Sequence, residues 1–325
     1  MIELKYPLFD GEKVWEGAAV TVENGLITAV APCNPSDCTD GFLMPGLIDS
    51  HTHMGTPEQV QAMLRSGITA TCDVSAHREL VEGSKQLDIV SSGGMAIGMV
   101  MNPRGFVEKA IANGARYIKV LLFNTLSIGK PALRGIVKAA HEKGLKVAVH
   151  ATEVATVRQA VEANADILLH VPMKEAFPEE LAKTIAQKGI AVAPTLVMME
   201  AFTRSDRKGY EPADYQNAEN AVRLLHNCGV MILAATDANT ASFVPAVGYG
   251  DTLHYEMELL VRAGLTPVEV LSAATSKNAD AFGLQGGRIA PGQPATMVLV
   301  DGRPDRNIAD SRKIKKIWVR GAEIL

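Results

Sequence analysis

The stretch Phe42–His53 reads FLMPGLIDSHTH, an apolar run with a Pro-Gly pair that ends in two histidines separated by one residue. Short apolar runs of this kind are typical of buried strands. In an extended strand, residues i and i+2 project to the same side, so His51 and His53 present two imidazoles to one point. Imidazole pairs suit zinc and similar ions. Taken alone, the pair is compatible with a metal site and with two unrelated histidines.

A repeating pattern continues from about residue 44 to residue 281: a short apolar run, a polar loop and an amphipathic segment rich in Ala, Glu, Lys and Leu. This alternation predicts βα units. The predicted strands are Leu43–Asp49, Ile68–Val74, Met95–Met101, Tyr117–Leu122, Leu145–His150, Ile167–His170, Ile190–Ala193 and Met231–Thr236. The predicted helices include Pro131–Lys143, Val154–Ala163, Pro178–Lys188 and Asp214–Asn227. Eight strands favour a closed α/β (β/α)₈ TIM barrel over a doubly wound open sheet, whose Gly-rich nucleotide fingerprint the sequence lacks.

The two ends of the chain follow a different pattern. Ile2–Val30 and Gly286–Leu325 show short alternating segments separated by turn residues, which predict strands. We therefore expect a small β-sandwich domain formed by both termini. The predicted division is 1–43 for its N-terminal part, 44–284 for the barrel and 285–325 for its C-terminal part.

The composition limits the partners that the protein can have. The chain has 325 residues, 32 of them basic and 36 acidic, with a net charge of −4. It shows no Lys/Arg cluster for nucleic acid or an anionic membrane, so a small-molecule substrate is favoured. No apolar run approaches the roughly 18 residues of a membrane span, and the first residues have no signal-peptide pattern. We expect a cytoplasmic protein, with its four cysteines reduced.

Residues that commonly bind metals recur at the ends of later predicted strands. His150 ends the fifth of these strands, His170 ends the sixth, and Asp237 directly follows the eighth. In a barrel the C-terminal strand ends converge on one mouth, so residues distant in sequence become neighbours there. Each residue alone could be a polar residue facing a loop. Together with the histidine pair, they predict a metal centre.

Lys119 is a lysine inside an otherwise apolar predicted strand, Tyr117–Leu122. An unpaired ammonium is costly to bury, so its charge should be neutralised or paired. Reaction with carbon dioxide would give a carbamate whose two oxygens can bridge two metal ions. The alternatives are that Lys119 extends to the barrel mouth or pairs with a nearby carboxylate.

The order of these residues resembles a known family. An HxH pair on the first strand, Lys on the fourth, His on the fifth and sixth and Asp on the eighth is similar to the amidohydrolase superfamily. Phe42–His53 resembles the superfamily's opening signature, and Gly286–Asp301 resembles its closing β-domain. Asn113–Lys119 and Glu256–Pro267 are most similar to the prolidase and imidazolonepropionase-related branch.

The resemblance implies a binuclear centre with two divalent ions, most often zinc. By that resemblance, His51, His53 and Asp237 would bind one ion, His150 and His170 the other, and carboxylated Lys119 both. A metal-bridging hydroxide would hydrolyse an amide, peptide-like or cyclic amide C–N bond, or an ester. Asp237 would be the catalytic residue that moves the proton. Many such proteins self-associate, so the resemblance is also compatible with a homo-oligomer.

Two further functions stay open at this stage. His150-Ala-Thr-Glu153 matches the HxxE pattern of single-metal relatives, which would make the protein a mononuclear deaminase or cyclic-amide hydrolase with Glu153 as acid/base. Glu153 also suits the first turn of a helix, where the helix dipole favours a carboxylate. The other alternative is a non-catalytic binding homologue, although every expected ligand type is present.

The substrate-binding residues are predicted from the loops that follow the strands. His77 follows the second strand and could donate a hydrogen bond to the substrate carbonyl, or it could be a surface histidine at a helix start. Arg204 and Tyr210 lie in the irregular stretch Thr203–Ala213 and could hold a substrate carboxylate. The alternative for that stretch is an ordinary solvated loop.

Overall fold

The computed structural model describes residues 1–74, 76–123, 128–205 and 214–325, and it shows a mixed α/β fold. The strands in these residues are β1 (Ile2–Phe9), β2 (Val14–Glu23), β3 (Leu26–Pro32), β4 (Phe42–Pro45), β5 (Leu47–Thr52), β6 (Ile68–Asp73), β7 (Asp88–Ser91), β8 (Met95–Ala96), β9 (Ile118–Leu121), β10 (Val147–His150), β11 (Ile167–Leu169), β12 (Ala191–Ala193), β13 (Met297–Val300), β14 (Ile314–Val319) and β15 (Ala322–Glu323). The helices are α1 (Pro57–Arg65), α2 (Arg78–Gly83), α3 (Pro103–Ala112), α4 (Lys130–His141), α5 (Val154–Glu162), α6 (Glu179–Gln187), α7 (Leu196–Thr203), α8 (Tyr215–Asn227), α9 (Asp251–Arg262), α10 (Pro267–Ala273) and α11 (Ser276–Phe282). Two short 3₁₀ helices cover Pro35–Asp37 and Ile308–Arg312.

One seven-stranded sheet joins the two ends of the chain, in the order β15-β14-β13-β4-β1-β2-β3. β4 lies at its centre, antiparallel to β13 and parallel to β1. The side chains of one face form a separate apolar cluster that includes Leu8, Val20, Leu43, Met297 and Trp318. The association of the two termini that the sequence predicts is therefore present as a single sheet.

Two parallel sheets form the central part of the fold, with the orders β5-β6-β7 and β12-β11-β10-β9-β8. The 231–239 segment lies between them: Leu233 N donates to Val192 O (2.8 Å), and Ser50 N donates to Ala234 O (3.2 Å). One buried cluster collects side chains from β6, β7, β10, β11, β12 and this segment. Strands of both parallel sheets thus contribute side chains to one apolar cluster.

The structure corrects three of the predicted strands. β8 covers only Met95–Ala96, because Gly98 has a positive φ of 65° and Met99 and Met101 beyond it are exposed. The sequence prediction missed the preceding strand, β7. Met231–Thr236 contributes one isolated parallel bridge, between Ile232 and Val192, rather than a continuous ladder.

The third correction is at Gly46, where the predicted strand Leu43–Asp49 divides between two sheets. β4 belongs to the terminal sheet, and β5 belongs to the parallel sheet. A Cβ atom on Gly46 would lie 2.1 Å from Thr69 Oγ1, so only glycine allows this close crossing. The strand that carries His51, β5, therefore continues directly from the centre of the terminal sheet.

Four predicted helices are confirmed as α4, α5, α6 and α8, with ends within two residues of the prediction. α4 illustrates the cause: Leu133, Ile136, Val137 and Ala140 are buried at helical spacing and form one apolar face. None of the helices in the described part of the chain combines the length and apolar character needed to cross a membrane.

Candidate metal centre

The carboxyl ends of the parallel strands bring the predicted ligands together. His51, His170 and Asp237 each offer a ligand atom, and these atoms all lie within 4.8 Å of one another. His51 comes from the end of β5, whereas His170 follows β11 directly. Asp237 N donates to His51 O (2.9 Å), which fixes the 231–239 segment beside the end of β5.

The HxH pair converges on a single carboxylate oxygen, as the alternation of an extended strand predicts. His51 Nε2 lies 3.2 Å from Asp237 Oδ1, and His53 Nε2 lies 3.1 Å from the same oxygen. The rings of His150 and His170 contact each other on the neighbouring strands, with centroids 4.5 Å apart. Four imidazoles and one carboxylate therefore share one small region.

Lys119 occupies the second position of β9 and is 2% exposed. Its Nζ lies 3.2 Å from His51 Nε2. Burial lowers the pKa of Lys119 to about 7, and the charge of Asp237 opposes this shift. A substantial fraction of the Lys119 amines is therefore neutral near pH 7, and the nitrogen of this neutral form has a lone pair available for reaction.

The histidines are held in the state that binds metals. Burial is the main cause that lowers the pKa of His51 and of His170 well below the usual value, and nearby cationic groups add to it. Burial likewise lowers the pKa of His150 to about 3. Neutral imidazoles keep a lone pair for a cation, and the buried Nδ1 of His51 has no hydrogen-bond partner in the described residues. These donors fit divalent ions such as zinc.

Two of the candidate ligands have a backbone conformation that residues other than glycine rarely adopt. His170 has φ 73° and Asp237 has φ 59°. Each such backbone conformation costs roughly 1–3 kcal/mol, and residues held in it cluster at functional sites. Thr195 Oγ1 lies 2.7 Å from His170 Nδ1, which leaves Nε2 to face the other ligands.

Two buried aspartates fix the HxH pair from either side. Asp73 Oδ2 accepts hydrogen bonds from Thr52 Oγ1 and Met54 N, both at 2.7 Å, on either side of His53. Asp49 Oδ2 accepts from Thr236 Oγ1 (2.6 Å), next to Asp237. Neither aspartate was predicted from the sequence to have a role. The position of each carboxylate after an apolar run was the signal that could have indicated one.

A cavity of about 880 Å³ lies over these donors. Its walls are mainly apolar, and they include Leu121, Phe123, Met173, Met199 and Phe202. Drug-sized ligands are typically bound in cavities of roughly 300–1,000 Å³. The site therefore combines a polar, metal-binding floor with an apolar enclosure of the size of a small molecule.

The other predicted site residues lie in different places. Glu153 lines the cavity. His77 is exposed at the start of α2 and lines a separate cavity of about 640 Å³. Arg204 has a side chain that is 70% exposed and pairs with Glu200, and it is not among the lining residues. Tyr210 lies outside the described residues. Lys174 also lines the cavity and was missed, because one lysine after His170 is no distinctive pattern.

The chain resembles known proteins in sequence and in fold. A model of the amidohydrolase family matches residues 42–324. No curated protein matches the chain. A solved Xaa-Pro dipeptidase with bound methionine in the active site has a TM-score of 0.84 at 17% identity, over 99% of this chain and 98% of that one. A putative prolidase from Bifidobacterium longum has a TM-score of 0.82 at 22% identity, over 99% and 94%.

The ochratoxinase of A. niger has a TM-score of 0.82 at 20% identity, over 99% of this chain and 96% of that one. At these identities, the solved structures show that the chain shares their fold. The match to the family model shows that the chain and the family have a common origin. The predicted membership is confirmed: the chain belongs to the amidohydrolase family.

Proposed function

We propose that this protein is a metal-dependent hydrolase that cleaves the C–N bond of an amide, peptide-like or cyclic amide small molecule. The observation that carries the proposal is the convergence of His51, His53, His170 and Asp237 beside buried Lys119 in one cavity. The proposal places this centre at the mouth of a (β/α)₈ barrel formed by residues 44–284. The apolar cluster shared by the parallel strands supports that closed arrangement.

This donor set would hold two divalent ions, which we propose to be zinc. His51, His53 and Asp237 would hold one ion, His150 and His170 the other, and Lys119 both. Bound ions would supply an activated water at neutral pH and would polarise the scissile carbonyl. The proposal assigns the chain to the prolidase-related branch of its family, and the fold likeness to prolidases supports it.

Lys119 would contribute as a carbamate. The neutral amine nitrogen attacks the carbon of carbon dioxide and releases one proton, which leaves a carboxylate at the end of the side chain. The buried Nζ and the absence of a paired carboxylate at Lys119 within the described residues support this reaction. Asp237 would accept the proton of the attacking water and pass it to the leaving nitrogen.

Glu153 supports a second candidate function, a mononuclear deaminase or cyclic-amide hydrolase. Its Oε2 is buried beside the cavity and has no partner among the described residues. A carboxylate in this position could move protons in place of Asp237. The cytoplasmic location, the small-molecule substrate and self-association stay predictions from the sequence.

The metal content of protein grown with zinc and bicarbonate tests the proposal. We expect about two ions per chain in plasma emission measurements. Lys119→Ala should lose metal and lower kcat/KM by at least about 100-fold, whereas the surface control Lys146→Ala should change neither. About one ion per chain, unaffected by Lys119→Ala, would instead support the Glu153 mechanism.

A further inference from the structure

Two cysteines face each other at the edge of the terminal sheet, and neither lines the cavity over the metal centre. The Sγ atoms of Cys33 and Cys38 lie 3.7 Å apart. Cys33 follows the edge strand β3, and Cys38 follows the 3₁₀ helix Pro35–Asp37. The four cysteines of the chain all lie within the described residues and are free, and this is the one pair of sulfur atoms in contact there.

We propose that Cys33 and Cys38 are a redox-active thiol pair, which a small-molecule disulfide such as oxidised glutathione converts to an intramolecular disulfide. This modification site goes beyond the proposed hydrolase function and does not depend on it. The sequence predicts reduced cysteines, and the free thiols of the structure are one of the two states of this pair.

The backbone brings the two sulfur atoms together before any bond forms. A single 3₁₀ turn separates them, because Asp37 N donates to Asn34 O (2.9 Å) and Cys38 N donates to Pro35 O (3.2 Å). The S–S bond of a disulfide is about 2.05 Å long, so the sulfur atoms must still approach each other. Rotation of the two short side chains about χ1 supplies this approach, and the turn can stay in place.

The sheet holds both ends of this turn. Cys33 N donates to Gly17 O on β2 (3.1 Å), and Thr39 N, next to Cys38, donates to Lys5 O on β1 (2.9 Å). A Cβ atom on Gly17 would lie 3.2 Å from Cys38 Sγ and 2.8 Å from Cys33 O. The absence of a side chain at Gly17 therefore leaves the room that the two cysteines occupy.

A dissolved reagent can reach this pair. Both cysteines are half-buried, and the residues between them, Asn34–Asp37, are exposed. Cys72, by contrast, is fully buried, and burial raises the pKa of its thiol well above the usual value. Burial is also the main cause that raises the pKa of Cys38. We therefore assign Cys38 to the second step of the exchange, in which its closeness to Cys33 offsets the lower reactivity of its thiol.

The exchange has two steps. The thiolate of Cys33 attacks one sulfur of oxidised glutathione, which forms a mixed disulfide and releases one glutathione. Cys38 then gives up its proton and attacks the Cys33 sulfur, so the bond to the remaining glutathione breaks and this glutathione leaves as well. The two cysteines lose two electrons and two protons in total, and one glutathione disulfide is reduced to two glutathione thiols.

The intact mass of the folded protein after incubation with oxidised glutathione tests the proposal. At about pH 8, where thiols begin to ionise, wild type should lose about 2 Da, the mass of two hydrogen atoms. Dithiothreitol should restore the original mass. Proteolytic cleavage before Asp37 separates Cys33 from Cys38 in sequence, so the two fragments should stay joined until they are reduced.

Single substitutions identify the cysteines that react. Cys228→Ser removes another half-buried thiol and should keep the loss of about 2 Da. Cys33→Ser and Cys38→Ser should each abolish this loss. The proposal is overturned if wild type keeps a glutathione adduct on both Cys33 and Cys38, links either of them to a different cysteine, or stays unmodified, and these wild-type results do not depend on how the variants fold.

Discussion

Asp237 connects the two histidines of the HxH pair, because one of its carboxylate oxygens lies within 3.2 Å of both Nε2 atoms. Its positive φ shows that the backbone is held in an unfavourable conformation to achieve this contact. A residue in this position can bind metal and move a proton, and its replacement should separate function from folding.

Asp237→Asn tests whether the role of Asp237 in function can be separated from folding. The amide keeps the size of the side chain but cannot accept the proton, so kcat should fall by about 10²- to 10⁴-fold while the circular dichroism spectrum stays unchanged. Asp280→Asn is the matched control, since Asp280 pairs with Arg288 away from the cavity. A kcat within twofold of wild type in Asp237→Asn would contradict the assigned role.

At the scale of elements, the hydrogen bonds between β5 and the 231–239 segment position Asp237. Thr236 donates to Asp49 through its backbone N (3.0 Å) and through Oγ1 (2.6 Å), and its Oγ1 also accepts from Ala238 N. Removal of the hydroxyl would leave a buried donor and a buried acceptor without partners. The 231–239 segment would then be held less firmly beside β5, and Asp237 with it.

Thr236→Val should therefore weaken metal binding without changing any ligand. We expect the affinity to fall by about 10- to 100-fold, as is typical when a residue that orients a ligand is lost. Competition with a chromophoric chelator measures this change. Thr184→Val on α6 removes a hydroxyl that donates to Glu180 O and should leave the affinity unchanged.

His254 joins α9 to two neighbouring elements. Its Nδ1 lies 2.8 Å from Ser311 Oγ, and its Nε2 lies 3.1 Å from Ser66 O at the end of α1. A neutral ring satisfies both contacts, with Nε2–H donating to the carbonyl. Burial, the main cause, lowers the pKa of His254 to about 4.

This shift predicts a loss of stability in acid. The unfolded chain takes up a proton on His254 below about pH 6.5, whereas the folded state does so only near pH 4, so the free energy of unfolding falls as the pH drops through this window. His254 should lower the free energy of unfolding by about 2 kcal/mol between pH 7 and pH 5. Urea unfolding of His254→Gln should show a correspondingly smaller decrease in the free energy of unfolding between pH 7 and pH 5. A decrease as large as that of wild type would contradict this role of His254.

At the scale of the whole molecule, the candidate ligands come from distant parts of the chain, from His51 to Asp237. An ion held by them stabilises the folded state, because the unfolded chain cannot present the same set of donors. The buried Nδ1 of His51 also has no hydrogen-bond partner among the described residues. The metal should therefore contribute to stability as well as to activity.

Removal of metal by a chelator should lower the melting temperature by several degrees. The bound ion should add about 3 kcal/mol to the free energy of unfolding when the free ion is at 100 times its dissociation constant. Addition of zinc should restore the melting temperature in wild type. His51→Ala should show no shift between the chelated and zinc-loaded forms, and a full shift in that variant would place the ion elsewhere.

The sequence by itself determined the nature of the donors and their order along the chain. The HxH pair, Lys119, His150, His170 and Asp237 could be predicted because each follows from a local rule: alternation along a strand, the cost of a buried lysine, or a polar residue at the end of an apolar run. The helices could be predicted for the same reason, since an amphipathic pattern is set by neighbouring residues.

Only the tertiary structure decided which residues surround the donors. Asp49, Asp73 and Lys174 contact residues from other elements. The two aspartates follow apolar runs, but only the packed structure shows which groups they contact. The division of one apolar run at Gly46 likewise depends on contact with Thr69. Local periodicity specifies elements and the chemistry they carry, whereas the fit between elements is a property of the packed chain.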